Sequence, residues 1–452
     1  MKVVVIGCGK IGKSIIEHTV QEGHEVVVVD NNADNIELMI NQFDVMGICG
    51  NGASYDILKD AGVDKQTLVI AATSSDETNI LSCLVSKKLG AKYTIARVRS
   101  IEYLNQINFI KNDLGINLTI NPEYEAAKEI TKILNFPEAI SVDSFAKSHV
   151  ELVELFIPKN SPLANKSLID IYMEYQIKVL ICAVQRGEEV FIPTGRFVLQ
   201  EEDRIYITAA SKNSLRSFLT KSSLLESKIK TVLLIGGSKI AVYLGKELLK
   251  NKYQVKIIEK KLERCEELSE LLPGATIIHG DGSDQRILEE EGLNDSDALI
   301  CLTNIDEENI IISLYAHKQN VRKIITKINK QSLVGLMEKI SLSSVISLKD
   351  ITASIIVTYL RGVSNTRGSN VLTLHKLVNN KVEALEFLAK EDKRLINIPF
   401  KDLRLKANVL IVGIIRDGKV IIPNGDDVIK VNDNVIVVTT NQFLDDLSDI
   451  LE

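Results

Sequence analysis

Apolar positions near the start of the chain follow two rhythms. Short unbroken runs, as in KVVVI (Lys2–Ile6), alternate with longer stretches whose apolar residues recur at helical spacing, as Ile11, Ile15, Ile16 and Val20 do within Lys10–Gln21. Further runs at 25–29, 45–48, 68–72 and 94–98 predict strands, and the stretches 55–61 and 76–89 predict helices between them. Short buried strands separated by amphipathic helices imply a parallel sheet covered on both faces. A doubly wound, Rossmann-like domain satisfies that pattern.

The pattern then repeats. YDILKDAGV from Tyr55 faces QRILEEEGL from Gln285, and VIAATSSDETNIL from Val69 faces LICLTNIDEENII from Leu299, both 230 residues apart. VVVIGCGKIG from Val3 faces VLLIGGSKIA from Val232, one residue out of that phase, and Asp30 faces Glu259. The correspondence continues past the Rossmann-like fold. GEEVFIPTGRFVLQEEDRIYI from Gly187 faces GKVIIPNGDDVIKVNDNVIV from Gly418, matching Pro193 with Pro423 and Asp203 with Asp433. Four blocks in nearly one register mean internal duplication. The predicted fold class is α/β, a tandem duplication of two doubly wound Rossmann-like domains, each followed by a small α+β domain. The expected domains are 1–121, 140–224, 229–348 and 368–452, with a polar linker around 221–230 between the halves.

Composition narrows the function. Apolar residues make up 45% and charged residues 25% of the 452, and the net charge is −6 with both signs interspersed. That balance fits globular domains and argues against a nucleic-acid surface or a polybasic membrane patch. The six cysteines are scattered without a C-x-x-C pair and read as buried hydrophobes in a reducing compartment. The expectation is a soluble cytoplasmic chain without a signal peptide. The most apolar stretch, 351–360, is flanked by Asp350 and Arg361 and is too short and polar to span a membrane.

The candidate chemistry lies at the glycine turns. Gly7-x-Gly9-x-x-Gly12 stands between a strand and a helix, and Asp30 ends the next strand. The first glycine allows the tight turn, the second admits a pyrophosphate to the backbone, and the third lets helix and strand approach. Phosphate then meets free amides at the positive helix end. Asp30 suits two ribose hydroxyls and repels a 2′-phosphate, so NAD or an adenine nucleotide fits better than NADP. In the second turn, Gly236-Gly237-Ser238-Lys239-Ile240-Ala241, Ser238 replaces the close-approach glycine while Glu259 still offers a ribose acceptor. A second occupied site and a structural relic both stand as readings.

Thr73, Ser74, Ser75, Asp76 and Glu77 follow the fourth strand, where ligands sit in such sheets. Helix capping by Ser74 or Ser75 explains the same residues. Arg97, matched by Lys327, suits either a phosphate partner or a surface charge. His18, His24, His149, His279, His317 and His375 are isolated, and no nucleophile or metal motif is present. A dehydrogenase adds an acid–base residue beside the nicotinamide, and the small repeated modules offer no such pairing. An NAD-dependent oxidoreductase on a duplicated Rossmann fold is the alternative, and a scaffold with decayed sites a third reading.

GCGKIG with Asp30, GNGASYDILKDAGV and TSSDETN closely resemble the N-terminal nucleotide-binding domain of the RCK/KTN family, the regulators of potassium conductance. The small modules resemble that family's C-terminal domain. The resemblance spans essentially the whole chain and implies a non-enzymatic regulator that binds NAD or NADH, and also ATP or ADP. It implies a homo-oligomer, a dimer or tetramer ring, on the inner membrane face against a Trk-type potassium-transporting subunit. Carried over position by position, the nucleotide contacts are Gly7, Cys8, Gly9, Lys10, Ile11, Gly12, Asp30, Thr73, Ser74 and Arg97. In the second half they are Gly236, Gly237, Ser238, Lys239, Ile240, Glu259, Thr303 and Lys327.

Overall fold

The computed structural model describes residues 1–111, 113–145, 150–224, 229–330, 332–335, 344–364, 371–378, 381–441, 444 and 446–452. Strands β1 (Lys2–Ile6), β2 (Glu25–Asp30), β3 (Met46–Cys49), β4 (Thr67–Ala71), β5 (Tyr93–Arg97) and β6 (Leu118–Ile120) form a parallel sheet ordered β3-β2-β1-β4-β5-β6. Val3, Val4 and Val5 of β1 are fully buried, as an unbroken β-branched run between two helical layers requires. The predicted strands at 68–72 and 94–98 sit one residue late, and the reason is visible. Ala72 N–H still bonds Ile6 O at 2.8 Å and Val98 N–H bonds Ile120 O at 2.9 Å, so each sheet edge runs one amide past the regular ladder. The strand order reverses between β1 and β4, which run parallel, and this switch point is the crevice where open α/β sheets hold ligands.

The first accessory domain is an antiparallel sheet of β7 (Ala139–Phe145), β8 (Val150–Phe156), β9 (Val179–Arg186), β10 (Glu189–Phe191) and β11 (Arg204–Ala209), ordered β10-β9-β11-β8-β7. The second nucleotide fold repeats the first with β12 (Thr231–Ile235), β13 (Gln254–Glu259), β14 (Thr276–His279), β15 (Ala298–Cys301), β16 (Lys323–Lys327) and β17 (Ser344–Ile346), ordered β14-β13-β12-β15-β16-β17. The last sheet contains β18 (Val371–Leu377), β19 (Val382–Leu388), β20 (Val409–Arg416), β21 (Lys419–Ile421) and β22 (Asn434–Thr439). The matched Asp203 and Asp433 have a structural task in both accessory domains. Each is almost fully buried and takes a two-pronged ion pair, from Arg186 at 2.7 and 2.8 Å and from Arg416 at 2.9 and 2.7 Å.

The halves are interlocked. Helix Pro122–Asn135 follows the first nucleotide fold but buries Ala126, Ala127, Ile130 and Ile133 in the core of the second, among Ile240, Leu244 and Leu248. Helix Leu348–Ser364 follows the second fold and returns to the first, placing Ile356 and Leu360 beside Ile15 and Ile16. The accessory sheets pack face to face through Val150, Leu152, Ala183 and Tyr206 against Val382, Ala384, Val412 and Val438. No helix among the described residues is long and apolar enough to cross a membrane. Residues 225–228 of the expected linker, and His149, lie outside the described residues.

Candidate functional site

The first turn is built by backbone constraint. Gly7 adopts φ +95° and donates its N–H to Val29 O at 2.8 Å. A Cβ on Gly12 would stand 1.8 Å from Gly7 O, so only glycine lets helix Lys10–Gln21 sit this close to β1. At Gly9 a Cβ would meet nothing within 4 Å: the position faces open space. Gly9 is also the N-cap and supplies no side-chain oxygen, so the leading amides of the helix are left for another acceptor. Asp30 is aimed by the same turn. Its Oδ2 accepts Cys8 N–H at 2.7 Å, and its Oδ1 accepts Asn32 N–H at 2.9 Å and Asn35 Nδ2 at 3.3 Å.

The second turn keeps this frame. Gly236 has φ +94° and bonds Ile258 O at 2.8 Å, and Gly237 N–H donates to Glu259 Oε2 at 2.7 Å. Its surroundings differ. The Oγ of Ser238 accepts Ala241 N–H at 3.4 Å, so the serine caps its own helix. Arg264 Nε donates to Gly237 O at 2.7 Å, and Lys260 pairs with Asp281 at 2.5 Å, holding that carboxyl down at about 2. The matching positions in the first half are Asn35, Asn31 and Asn51.

After β4, the Thr73 hydroxyl donates to Asn79 Oδ1 at 2.7 Å, and Asn79 Nδ2 donates to Thr73 O and Arg97 O. Thr303, Asn309 and Lys327 repeat the arrangement bond for bond. Asp76 Oδ2 accepts the Arg99 and Ser100 amides, and Asp306 Oδ2 those of Asn329 and Lys330. Ser75 caps helix Asp76–Leu89 through Thr78 N–H at 3.1 Å. The matched Thr-Asn and Asp positions therefore hold the loops in shape. Arg97 donates Nη1 to Thr73 O at 3.1 Å, and burial pulls its pKa down. Lys327 is almost wholly buried, with Nζ at 3.3 Å from Asn304 Oδ1, and burial lowers its pKa too.

One cleft of about 1520 Å³ joins the two nucleotide folds. The first half lines it with Gly7, Gly9, Lys10, Ile11, Asp30, Asn31, Asn35, Asn51, Thr73, Ser74 and Arg97. The second contributes Ser238, Lys239, Ile240, Asn304, Asp306, Lys327 and Lys330. Six expected contacts do not border it: Cys8, Gly12, Gly236, Gly237, Glu259 and Thr303. Cys8 turns its thiol into the core, where burial pushes its pKa up to about 12. Gly12 is spent on helix packing, and Arg264 bonds over the second turn. Sequence reasoning missed Arg99 and Glu123, an ion pair at 2.6 Å on the cleft wall, and Lys349, which lines the same cleft. No local pattern marks these: Arg99 and Glu123 are 24 residues apart and meet after the adjacent strands β5 and β6, and Lys349 arrives on the helix returned from the second half.

Fold, turns and shared cleft define a duplicated Rossmann-type chain shaped for a nucleotide, with two small antiparallel accessory domains. The chain belongs to the TrkA family: it matches the TrkA-N domain over residues 3–122 and 232–348 and the TrkA-C domain over 152–220 and 384–452. A Trk system potassium uptake protein TrkA homolog of Archaeoglobus fulgidus is 30% identical over 97% of both chains. The Trk system potassium uptake protein TrkA of Halomonas elongata is also 30% identical, over 97% of this chain and 95% of its own. The fold is shared with the GsuK channel bound to NAD, at TM-score 0.63 and 16% identity over 98% of this chain and 77% of that one.

Proposed function

We propose that this chain is a regulatory subunit of potassium uptake that binds NAD or NADH, with ATP or ADP as alternative occupants, chiefly in its first nucleotide fold. It acts from the cytoplasmic membrane face on a Trk-type transporting subunit, as a homo-oligomer. The observation carrying this reading is the shared cleft. A nucleotide lying on the first turn faces Lys239, Lys327 and Lys330 of the second half, so its binding energy depends on how the halves sit. A ligand shifts a conformational equilibrium only through such differential contact. The relatives' names supply the transport role, and Asp30 supplies the preference for an unphosphorylated ribose. Acids of the cleft wall are already engaged, Glu123 by Arg99 and Asp306 by loop amides, which favours sensing over proton transfer.

Calorimetric titration of the full chain with NADH and ADP tests this. Gly9→Asp, whose side chain enters open space, is expected to leave the fold intact and weaken NADH by about a hundredfold, roughly 3 kcal/mol. Unchanged affinity would remove the first turn as the site. Consumption of NADH with carbonyl substrates would establish the oxidoreductase instead.

A further inference from the structure

Helix Lys10–Gln21 begins at the first glycine turn and ends against a charged junction. Its C-cap, Glu22, receives a two-pronged ion pair from Arg361, Nε to Oε2 at 2.6 Å and Nη2 to Oε1 at 2.7 Å. Arg361 rides on helix Leu348–Ser364, the segment returned from the other half. Its Nη1 also lies 3.7 Å from Glu383 Oε1 in β19 of the second accessory domain. The side chains are only 13%, 16% and 4% exposed for Glu22, Arg361 and Glu383. Charge-assisted pairs screened this little from one another are strong, and removing one member leaves buried charge behind.

The other half has no such junction among its counterpart residues. Asn251, at the place of Glu22, bonds Glu247 within its own helix at 2.8 Å. Counted from the helix caps Asn121 and Ser347, the counterpart of Arg361 is Asn135, which is solvent-exposed. Glu151, the counterpart of Glu383, pairs with Lys212 of its own domain at 2.5 Å. Each member of the first-half junction reaches into another domain, whereas the two engaged counterparts turn inward.

We infer that Glu22–Arg361–Glu383 is a strut coupling the first nucleotide turn to the second accessory domain and not to the first. It rests, for its ligand, on the reading that nucleotide binds at the first turn. A twelve-residue helix is about 18 Å of stiff rod, so an adjustment at Gly9 reaches Glu22 instead of dissipating. Arg361 then passes it both to the returned helix and to β19. Occupancy of the first turn thereby biases the placement of one accessory sheet, and the reciprocal also holds.

Amide hydrogen exchange on the full chain decides this, first without ligand. Glu22→Gln, which does not touch β19, is expected to speed exchange across Val382–Leu388 by about tenfold, a typical coupling, and to leave Val150–Phe156 unchanged. No change in β19, or equal loosening of both strands, overturns the strut. In a second arm NADH slows exchange in Val382–Leu388 of the wild type. Arg361→Lys, chosen because Arg361→Gln risks misfolding, retains NADH affinity within about threefold but loses that response. A full response in Arg361→Lys overturns the strut. Failure of the wild type to bind NADH overturns the functional reading, while the ligand-free arm still decides the strut on its own.

Discussion

The two glycine turns have nearly the same backbone and very different surroundings. Both place a left-handed glycine after the first strand, and both bond a carboxylate back to the turn amide, Asp30 to Cys8 and Glu259 to Gly237 at 2.7 Å each. Both also carry the Thr-Asn loop staple. Features needed to close the fold have persisted in both copies, and features facing the ligand have diverged. A glycine turn with a downstream acid is therefore evidence of a Rossmann frame, and evidence of a nucleotide only where the space beside it is open. That space is open at Gly9 and occupied by a capping hydroxyl at Ser238.

The largest expected effect follows directly. The Gly9→Asp loss of about a hundredfold in NADH affinity should far exceed that of Ser238→Asp, where calorimetry is expected to show the stoichiometry unchanged at one NADH per chain and a loss of less than about tenfold, from a carboxylate added to the far wall of the cleft. Two equivalents bound by the wild type, with Ser238→Asp removing one of them, would erase the distinction between the copies.

A second contrast concerns stability. At the start of the fifth strand Tyr93 packs edge-on against Tyr359, centroids 6.2 Å apart, and its counterpart is Lys323. Lys323 is 1% exposed and donates Nζ to Ala139 O at 2.7 Å, with the Glu138 carboxylate the nearby charge that favours its ammonium form. Burial pushes its pKa from 10.5 down to about 7. Between those values the unfolded chain holds the extra proton, so Lys323 makes stability rise as pH increases from about 7 toward 10 and costs stability at neutral pH. Lys323→Met is expected to stabilise the chain at pH 7 by on the order of a few kcal/mol and to flatten this rise. Denaturant midpoints between about pH 7 and pH 9, with the same slope in both proteins, would show that the lysine does not titrate there.

How much of this was legible in the sequence depends on the range of the interaction. The alternation of apolar runs with helical spacing located five of the six strands of the first sheet to within a residue, because burial on both faces leaves few polar positions to confuse it; the three-residue edge strand Leu118–Ile120 was too short to register. The duplication was legible because Asn79 and Asn309, or Asp76 and Asp306, are required by local loop geometry in each copy. The exchange of the two returning helices was not. Ala126, Ala127, Ile130 and Ile133 make an apolar stripe that reads identically whichever fold covers it, and 351–360 registered only as too polar for a membrane. The cleft was hidden for a related reason: Arg99 and Glu123 meet only through the pairing of β5 with β6, and Lys349 joins the same cleft from the helix returned by the other half. The difference at the second turn was visible in the sequence only as Ser238, while the pairing of Lys260 with Asp281 and the bond from Arg264 to Gly237 O need three dimensions.

The ribose acids give a smaller, directional difference. Asp30→Asn removes charge-assisted acceptance of two hydroxyls and should weaken NADH by roughly tenfold while narrowing its advantage over NADPH. Glu259→Gln should leave NADH affinity unchanged and cost about 1 kcal/mol of stability through the weakened Gly237 bond. Equal losses of affinity from both variants would mean that both folds hold a nucleotide.

The subtlest expectation runs in the opposite direction, toward making the second fold resemble the first. Lys260 with Asp281 and Arg264 over Gly237 O stand where the first half places asparagines on the cleft wall. Lys260→Asn, Arg264→Asn and Asp281→Asn together would remove the exposed ion pair and the arginine bond while keeping Glu259 and the turn. The exposed pair is screened by water and contributes little to stability, so the triple variant should fold. It should acquire a second NADH equivalent in the millimolar range, about −4 kcal/mol, because Ser238 still occupies its helix amide. Adding Ser238→Gly should then tighten that second site, whereas no second equivalent in either variant would place the difference between the copies in the strands beneath the turn and not in the side chains around it.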